Sequence, residues 1–327
     1  MRLAVSVVVP TYRRPELLER CLEALADQDL DPAGYEIIVV DDGPEAATRG
    51  QVERWAARCR GRPMMLYVPV TGTQGPAGAR NRGWEAAEGE VIAFTDDDTV
   101  PHADWLSAGL RAMEPDVVAA AGRVVVPLPA DRAPTDHERD IARMERCEFV
   151  TANCFVRRDA LAAVGGFDER FTAAWREDSD LHFSLLALPG RVACAPEAAV
   201  EHPVRPVDDW TDGIRQHRKI AFDALLYKKH PRLYRERIRR LPPLDYYGIV
   251  LALVTLAAGA VLRAPALALA GFAAWALFTG LFLVRRMKGT SLAPSHVAGL
   301  VATSIVIPLV AVYWRLAGAF RYRVVFL

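Results

Sequence analysis

The sequence predicts an α/β domain, with a mostly parallel sheet flanked by helices, followed by C-terminal transmembrane helices. Short β-branched runs alternate with segments of helical apolar spacing through the first hundred residues, the pattern of strands joined by helical crossovers. Three uncharged runs then close the chain: Tyr246–Leu262 with 17 residues, Ala264–Val284 with 21 and Gly289–Trp314 with 26. About 20 apolar residues suffice to cross a bilayer. Charge is also divided between the two ends. The 327 residues hold 40 Lys+Arg and 40 Asp+Glu, yet from Leu244 onward there are one acidic residue, Asp245, and seven basic ones. The preceding 243 residues therefore hold 39 acidic and 33 basic residues, a net of −6. With 52% hydrophobic and 24% charged residues the chain folds, and it lacks the basic excess of a nucleic-acid binder.

The elements follow in order. Val5–Val9 is a buried strand ending at Pro10. Leu17, Leu18, Cys21, Leu22 and Leu25 recur at helical spacing over 16–26, with Pro15 in the first turn. Tyr35–Val40 is a second strand, stopped by Asp41-Asp42-Gly43; 51–60 reads as a helix and 64–68 as a third strand. A glycine-rich loop over 72–83, a helix around 79–87 and the strand Val91–Phe94 complete the pattern. Ligands of such sheets bind at the carboxyl ends of the strands. Polar residues gather there: Thr11-Tyr12-Arg13, Asp41-Asp42 and Asp96-Asp97-Asp98. The five cysteines are scattered, without a CxxC or Cys/His cluster, and predict neither a zinc site nor a disulfide framework. The apolar run Leu3–Val9 passes straight into Pro10-Thr11-Tyr12-Arg13-Arg14 without a cleavage site, so the domain is expected to be cytosolic.

Six segments in a fixed order carry a resemblance. They are Val8-Val9-Pro10-Thr11-Tyr12-Arg13-Arg14, Ile38-Val39-Val40-Asp41-Asp42-Gly43, the stretch Gly75–Gly83 containing Arg80-Asn81, Phe94-Thr95-Asp96-Asp97-Asp98, Gly165-Gly166-Phe167-Asp168-Glu169, and Arg176-Glu177-Asp178-Ser179-Asp180-Leu181. Together, over residues 3–240, the chain resembles the family 2 inverting glycosyltransferases of the GT-A fold, whose sheet is Rossmann-like. The resemblance implies a catalytic domain over 1–212, a nucleotide-sugar donor and Mg²⁺ or Mn²⁺ as cofactor. It matches Asp96 and Asp98 to the family's two motif aspartates, with Asp98 a direct metal ligand and Asp96 nearer the ribose. It also makes His202 a further metal or diphosphate contact and Asp178 the catalytic aspartate.

Residue chemistry agrees with these roles. Hard divalent cations take carboxylate and phosphate oxygens, and an Asp-x-Asp at a strand end holds one against a diphosphate. Pro10, Thr11, Arg13, Asp41, Asp42, Arg80, Asn81, Asp96 and Asp97 are expected around the nucleotide, and Arg218, in Arg215–Lys219, offers a cation to the diphosphate. Which of Asp41 and Asp42 contacts the nucleotide is left open, since an Asx-turn accounts for either. An acceptor hydroxyl must lose its proton in an in-line displacement, which calls for a carboxylate base such as Asp178. Glu177 either raises the proton affinity of Asp178 or caps the helix beginning at Ser179, and Trp175 offers a sugar-stacking face. Each feature also has a purely structural reading: a solvated turn, a capping cluster, a core tryptophan, a structural histidine.

Between 228 and 240 stand seven basic residues against Glu236, a run that draws the interfacial segment 213–243 towards anionic lipid. Arg263 separates the first two apolar runs, so 246–262 and 264–284 form a hairpin, and flanking basic residues place its open end on the cytosolic side. A third span over 292–314, interrupted by Pro294 and Pro308, is expected, although it sets Arg315, Arg321 and Arg323 outside against the charge rule; a re-entrant segment, or a basic tail over 315–327 lying among the headgroups, is the alternative. The resulting expectation is transfer of a sugar to a hydroxyl of a lipid-linked or membrane-associated glycan, by a multi-pass membrane protein with a cytoplasmic catalytic domain. Alternatives are a polyprenyl-phosphate glycosyltransferase, which has less need of a base, and a catalytically inactive nucleotide-sugar-binding scaffold. No Gln-x-x-Arg-Trp motif of the processive synthases is present at Gln216–Ile220.

Overall fold

The structure, a computed structural model, describes residues 3–205 and 211–326. Its strands are β1 (Val5–Thr11), β2 (Tyr35–Asp41), β3 (Met64–Pro69), β4 (Val91–Thr95), β5 (Val100–Pro101), β6 (Val117–Val125), β7 (Asn153–Arg157) and β8 (Arg191–Glu201). The α-helices are α1 (Pro15–Ala26), α2 (Ala46–Arg58), α3 (Pro76–Ala86), α4 (Trp105–Ala112), α5 (Asp136–Ile141), α6 (Arg158–Val164), α7 (Glu177–Leu185), α8 (Thr211–Gln216), α9 (Ala221–Lys229), α10 (Pro231–Leu233), α11 (Leu244–Val261), α12 (Pro265–Met287) and α13 (Pro294–Tyr322). They divide into two compact units, Met1–Pro127 with Ala142–Val204, and Leu128–Ile141 with Arg205–Leu327.

The first unit is built on one eight-stranded sheet of order β3-β2-β1-β4-β7-β6-β8-β5. Strands β3, β2, β1 and β4 are parallel, as the β-branched runs predict. Beyond β4 the sheet is mixed, because β7 pairs antiparallel with both β4 and β6 while β6 and β8 run parallel. Every residue of β2 is buried, including Glu36, whose carboxylate accepts from Ser6 Oγ at 2.6 Å and from the Glu88 amide at 2.8 Å. A buried carboxylate is tolerated there because these donors replace water.

Helix α3 fills most of the predicted 79–87 segment but begins three residues earlier, at Pro76, a residue pre-set for a first helical turn. Its glycines serve packing. A Cβ at Gly83 would stand 2.3 Å from Val8 Cγ1, so α3 lies closer to β1 than any side chain allows. Helix α2 likewise starts five residues earlier than expected, and α7 starts at Glu177 rather than Ser179.

In the second unit α11 and α12 pair as an antiparallel hairpin turning at Arg263, which adopts φ 53°. Glycines set the spacing again: a Cβ at Gly259 would meet the Ala268 backbone nitrogen at 2.3 Å, and one at Gly271 the Leu256 nitrogen at 2.4 Å. Close small-residue contact is how apolar helices associate where lipid offers no hydrophobic drive. An Asp245–Arg285 ion pair closes the open end. Helices α11, α12 and α13 are each long and apolar enough to cross a bilayer. Pro308, a candidate interruption, sits inside a continuous α13. The segment 128–141 is fastened to this unit: Arg286 Nη2 contacts Asp136 at 2.7 Å, Arg286 Nη1 donates to Thr303 and Ser304 hydroxyls at 2.8 and 2.9 Å, and the Asp136 amide donates to His296 Nε2 at 3.1 Å.

Gly83→Ala should destabilise the first unit. The helix-propensity gain of Ala over Gly is about 0.5–1 kcal/mol, whereas overpacking a filled core costs about 1–3 kcal/mol. A lowered melting temperature of the purified protein is expected; an unchanged or raised one would show that α3 can move away from β1.

Candidate active site

The parallel register that pairs Val8 with Phe94 sets the ends of β1 and β4 side by side. There Thr11 Oγ1 donates to Asp97 Oδ2 at 2.7 Å and Arg14 Nη1 donates to Oδ1 at 3.2 Å. Asp97 is buried, and burial pushes its carboxyl up to about 6 although Arg14 and Thr11 pull the other way. Asp97 is thus bound to β1 and the start of α1. Asp96 and Asp98 point elsewhere. Asp96 Oδ1 accepts from Arg80 Nη2 at 2.7 Å, and Asp98 Oδ1 lies 3.5 Å from His202 Nε2 at the end of β8.

Asp96, Asp98 and His202 each offer one ligand atom, all within 4.8 Å of one another. Two carboxylate oxygens with one imidazole nitrogen suit a divalent cation. Charge favours the same conclusion. Asp96, Asp97, Asp98, Glu177 and Asp178 gather around Arg14 and Arg80, a negative excess in a largely buried place. His202 is buried and its Nδ1 has no hydrogen-bond partner among the described residues. The residues fit a divalent cation.

Arg80, buried within α3, joins this group to α7. Its Nη1 donates to Glu177 Oε1 at 3.2 Å, and its guanidinium carbon lies 5.8 Å from the centroid of the Phe167 ring. Glu177 is buried, and its Oε2 has no hydrogen-bond partner among the described residues. Burial and the neighbouring Asp178 push its carboxyl up to about 7 against the opposing pull of Arg80. Asp178 is half-buried on the first turn of α7, where its Oδ1 accepts from the Ser179 amide at 2.6 Å. Arg176, just before the helix, adopts φ 76° and lies over the exposed Trp175 indole at 4.5 Å.

The remaining candidates separate. Asp41 is buried and accepts from the Gly43 and Glu45 amides and the Tyr67 hydroxyl at 3.0–3.1 Å, so its carboxylate forms the turn. Asp42 is half-buried and accepts from the Gly75 amide at 3.0 Å; burial raises its carboxyl. Gly75 has φ 112°, and a Cβ there would stand 2.8 Å from the Thr172 carbonyl oxygen, so only glycine brings Asp42, α3 and the loop before α7 together. Asn81 faces the 165–169 loop: its Nδ2 donates to Phe167 O and Glu169 Oε1, and its Oδ1 accepts from Phe167 N and Trp84 Nε1. Pro10 is half-buried, and exposed Arg13 pairs with Glu45 at 2.9 Å. Arg218 belongs to the second unit, exposed on the 3₁₀ turn His217–Ile220. Arg14 was missed by sequence reasoning. The signal was the second half of Arg13-Arg14, but only the backbone turn, with Arg13 at φ 54°, decides which arginine faces the aspartates.

Comparison with known proteins shows the family and the fold. The family model described as glycosyl transferase family group 2 matches residues 91–316, and that of glycosyl transferase family 2 matches residues 6–167. The chain belongs to glycosyltransferase family 2. The protein is 27% identical over 215 residues to glycosyltransferase AglE of Haloferax volcanii, covering 62% of this chain and 67% of that one. This glycosyltransferase is also 28% identical over 214 residues to the succinoglycan biosynthesis protein ExoM of Rhizobium meliloti, with the same two coverages. A shorter match, 34% over 94 residues and 29% of each chain, joins it to the GalNAc(5)-diNAcBac-PP-undecaprenol beta-1,3-glucosyltransferase of Campylobacter jejuni. Among solved structures, the mannosyltransferase PcManGT of Pyrobaculum calidifontis, in complex with GDP-Man and Mn²⁺, is similar at a TM-score of 0.59 and 24% identity. That likeness covers 93% of this chain and 88% of the other, and shows a shared fold.

The raised Glu177 carboxyl gives a pH signature. Folded, it holds its proton up to about 7; unfolded, it releases it near 4.5. Its contribution to stability is therefore fully present below pH 4.5 and lost as pH rises through 7. Glu177→Gln removes that loss, so its melting temperature should rise relative to the parent between pH 5 and pH 8. A difference independent of pH would mean that Glu177 ionises normally in the folded protein.

Proposed function

We propose that this glycosyltransferase takes a sugar from a nucleoside-diphosphate donor held by Mg²⁺ or Mn²⁺. It passes that sugar, with inversion, to a hydroxyl of a lipid-linked or membrane-associated glycan on the cytosolic face of the membrane. The observation that carries this reading is the juxtaposition of Asp96, Asp98 and His202, linked through Arg80 to the Glu177-Asp178 pair. Asp96, Asp98 and His202 would hold the ion, whose charge, when bound, offsets that of the departing diphosphate. Asp42, half-buried beside Gly75, is the better placed of the β2 aspartates to contact the nucleotide. Asp178 accepts the acceptor proton as the new carbon–oxygen bond forms and the bond to the diphosphate oxygen breaks. Trp175 supplies an apolar face beside it.

Three further points support the reading. The similar Pyrobaculum enzyme was solved with GDP-Man and Mn²⁺, and the Campylobacter relative is named for an undecaprenol-linked acceptor. The basic residues at 228–240 and 285–288 flank the hairpin on one side, and the positive-inside rule makes that side cytosolic. We infer a catalytic domain over 1–212, an interfacial segment over 213–243 and a membrane region over 244–327.

Asp178→Asn should retain donor binding and lower transfer by about 10²–10⁴-fold, the usual contribution of a general base. Binding is read as the thermal shift with a nucleoside diphosphate and Mn²⁺, transfer as product from a lipid-linked saccharide. Wild-type turnover would remove Asp178 from the mechanism. Asp98→Asn should abolish the Mn²⁺-dependent part of the shift; a shift indifferent to Mn²⁺ in the parent would remove the ion. Exclusive turnover of a polyprenyl phosphate over lipid-linked saccharides would replace the hydroxyl acceptor by a phosphate.

A further inference from the structure

Helix α13 has 29 residues, about 43 Å at 1.5 Å per residue, enough to cross a bilayer. Its contacts describe a different path. The Asp245–Arg285 ion pair marks the open end of the α11–α12 hairpin, so the start of α11 and the end of α12 share one side of the membrane. The segment before α11 stays on that side, since seven Lys and Arg residues over 228–240 keep it out of hydrocarbon.

The polar contacts of α13 and its closest backbone approach, among the described residues, fall on that side. Near its start, Thr303 and Ser304 accept from Arg286 at the end of α12. At its middle, Ile307 packs with Ile249 and Phe282, each about a turn and a half from the open end. Near its finish, a Cβ at Gly318 would stand 2.5 Å from the Ala221 carbonyl oxygen. The Tyr322 carbonyl accepts from Lys228 Nζ at 2.9 Å. A helix that crossed would leave its last turn on the far side, where neither Ala221 nor Lys228 can go.

The two faces of α13 agree. Leu300, Ser304, Ile307, Ala311, Arg315 and Gly318 form a buried stripe that includes polar and small residues. Opposite them Val301, Ile305, Leu309, Tyr313, Leu316 and Phe320 recur every three or four residues and are 38–88% exposed. A stripe this apolar and this long calls for an apolar cover, and the adjoining hairpin says that lipid supplies it.

We propose that α13 does not span the membrane. It lies in the plane of the interface on the side of the basic segment, its exposed stripe set among the upper acyl chains, so that only α11 and α12 cross.

An epitope placed after Leu327 of the full-length protein tests the topology by protease protection in sealed vesicles that present the catalytic domain outward. The epitope should be digested together with the catalytic domain; an epitope protected while that domain is lost would establish a third crossing and overturn the proposal. Depth separates a flat helix from a re-entrant one. Val301→Cys, Leu309→Cys and Phe320→Cys, carrying a fluorophore, are quenched by lipids with a nitroxide near the headgroup or deep in the chain. Signals are corrected for the parent protein, whose Cys147 and Cys194 are exposed. All three positions should respond more to the shallow quencher and agree within about twofold, as for a helix lying at one depth. Deep quenching at Leu309 alone, or no lipid quenching at any position, would sink it.

Discussion

One buried guanidinium holds the candidate site together. Arg80 sits inside α3 between Asp96, from the end of β4, and Glu177, from the start of α7. Those two carboxylates come from distant parts of the chain, and both are drawn towards a low-dielectric place where an uncompensated charge is expensive. Two arms of one planar cation satisfy one oxygen of each, a geometry that lysine does not reproduce. The glycines of α3 exist for the same purpose. Gly83 lets the helix approach β1, Gly75 lets the chain enter it against Thr172, and the result is a guanidinium at the depth the carboxylates need.

This role was only half legible in the sequence. Arg80 is expected around the nucleotide because it stands in a glycine-rich stretch, and what the sequence does not show is the pairing of its side chain with two protein carboxylates. The gap has a physical origin. Glycine is read as a breaker, whereas here Gly78 and Gly83 are points of close approach inside a helix, and local sequence does not distinguish the two uses. Asn81 shows the same limit, since three of its four hydrogen bonds depend on a loop some 86 residues further on. The parallel strands were legible because β1, β2 and β4 are short buried runs, β-branched in part, each bounded by turn residues. The antiparallel pairings of β7 were not, because strand direction depends on tertiary neighbours rather than on periodicity.

The second unit repeats the theme with a different cation. Arg286 gathers Asp136, Thr303 and Ser304, and so joins α12, α13 and an excursion of the chain between β6 and β7. Hydropathy alone reads α11, α12 and α13 as equivalent, since all three are apolar runs of sufficient length. What separates them is the company kept by their polar atoms, and that becomes visible only when residues far apart in sequence are brought together.

Arg176 carries a constraint of another kind. Its left-handed backbone at φ 76° disfavours most L-residues by about 1–2 kcal/mol, with glycine and asparagine the exceptions. Drift at this position therefore has an easy route that relaxes the main chain but discards the guanidinium stacked on Trp175. A lineage that keeps arginine here accepts torsional strain in exchange for a cation, and glycine in a descendant would relax the main chain while leaving one face of the indole bare.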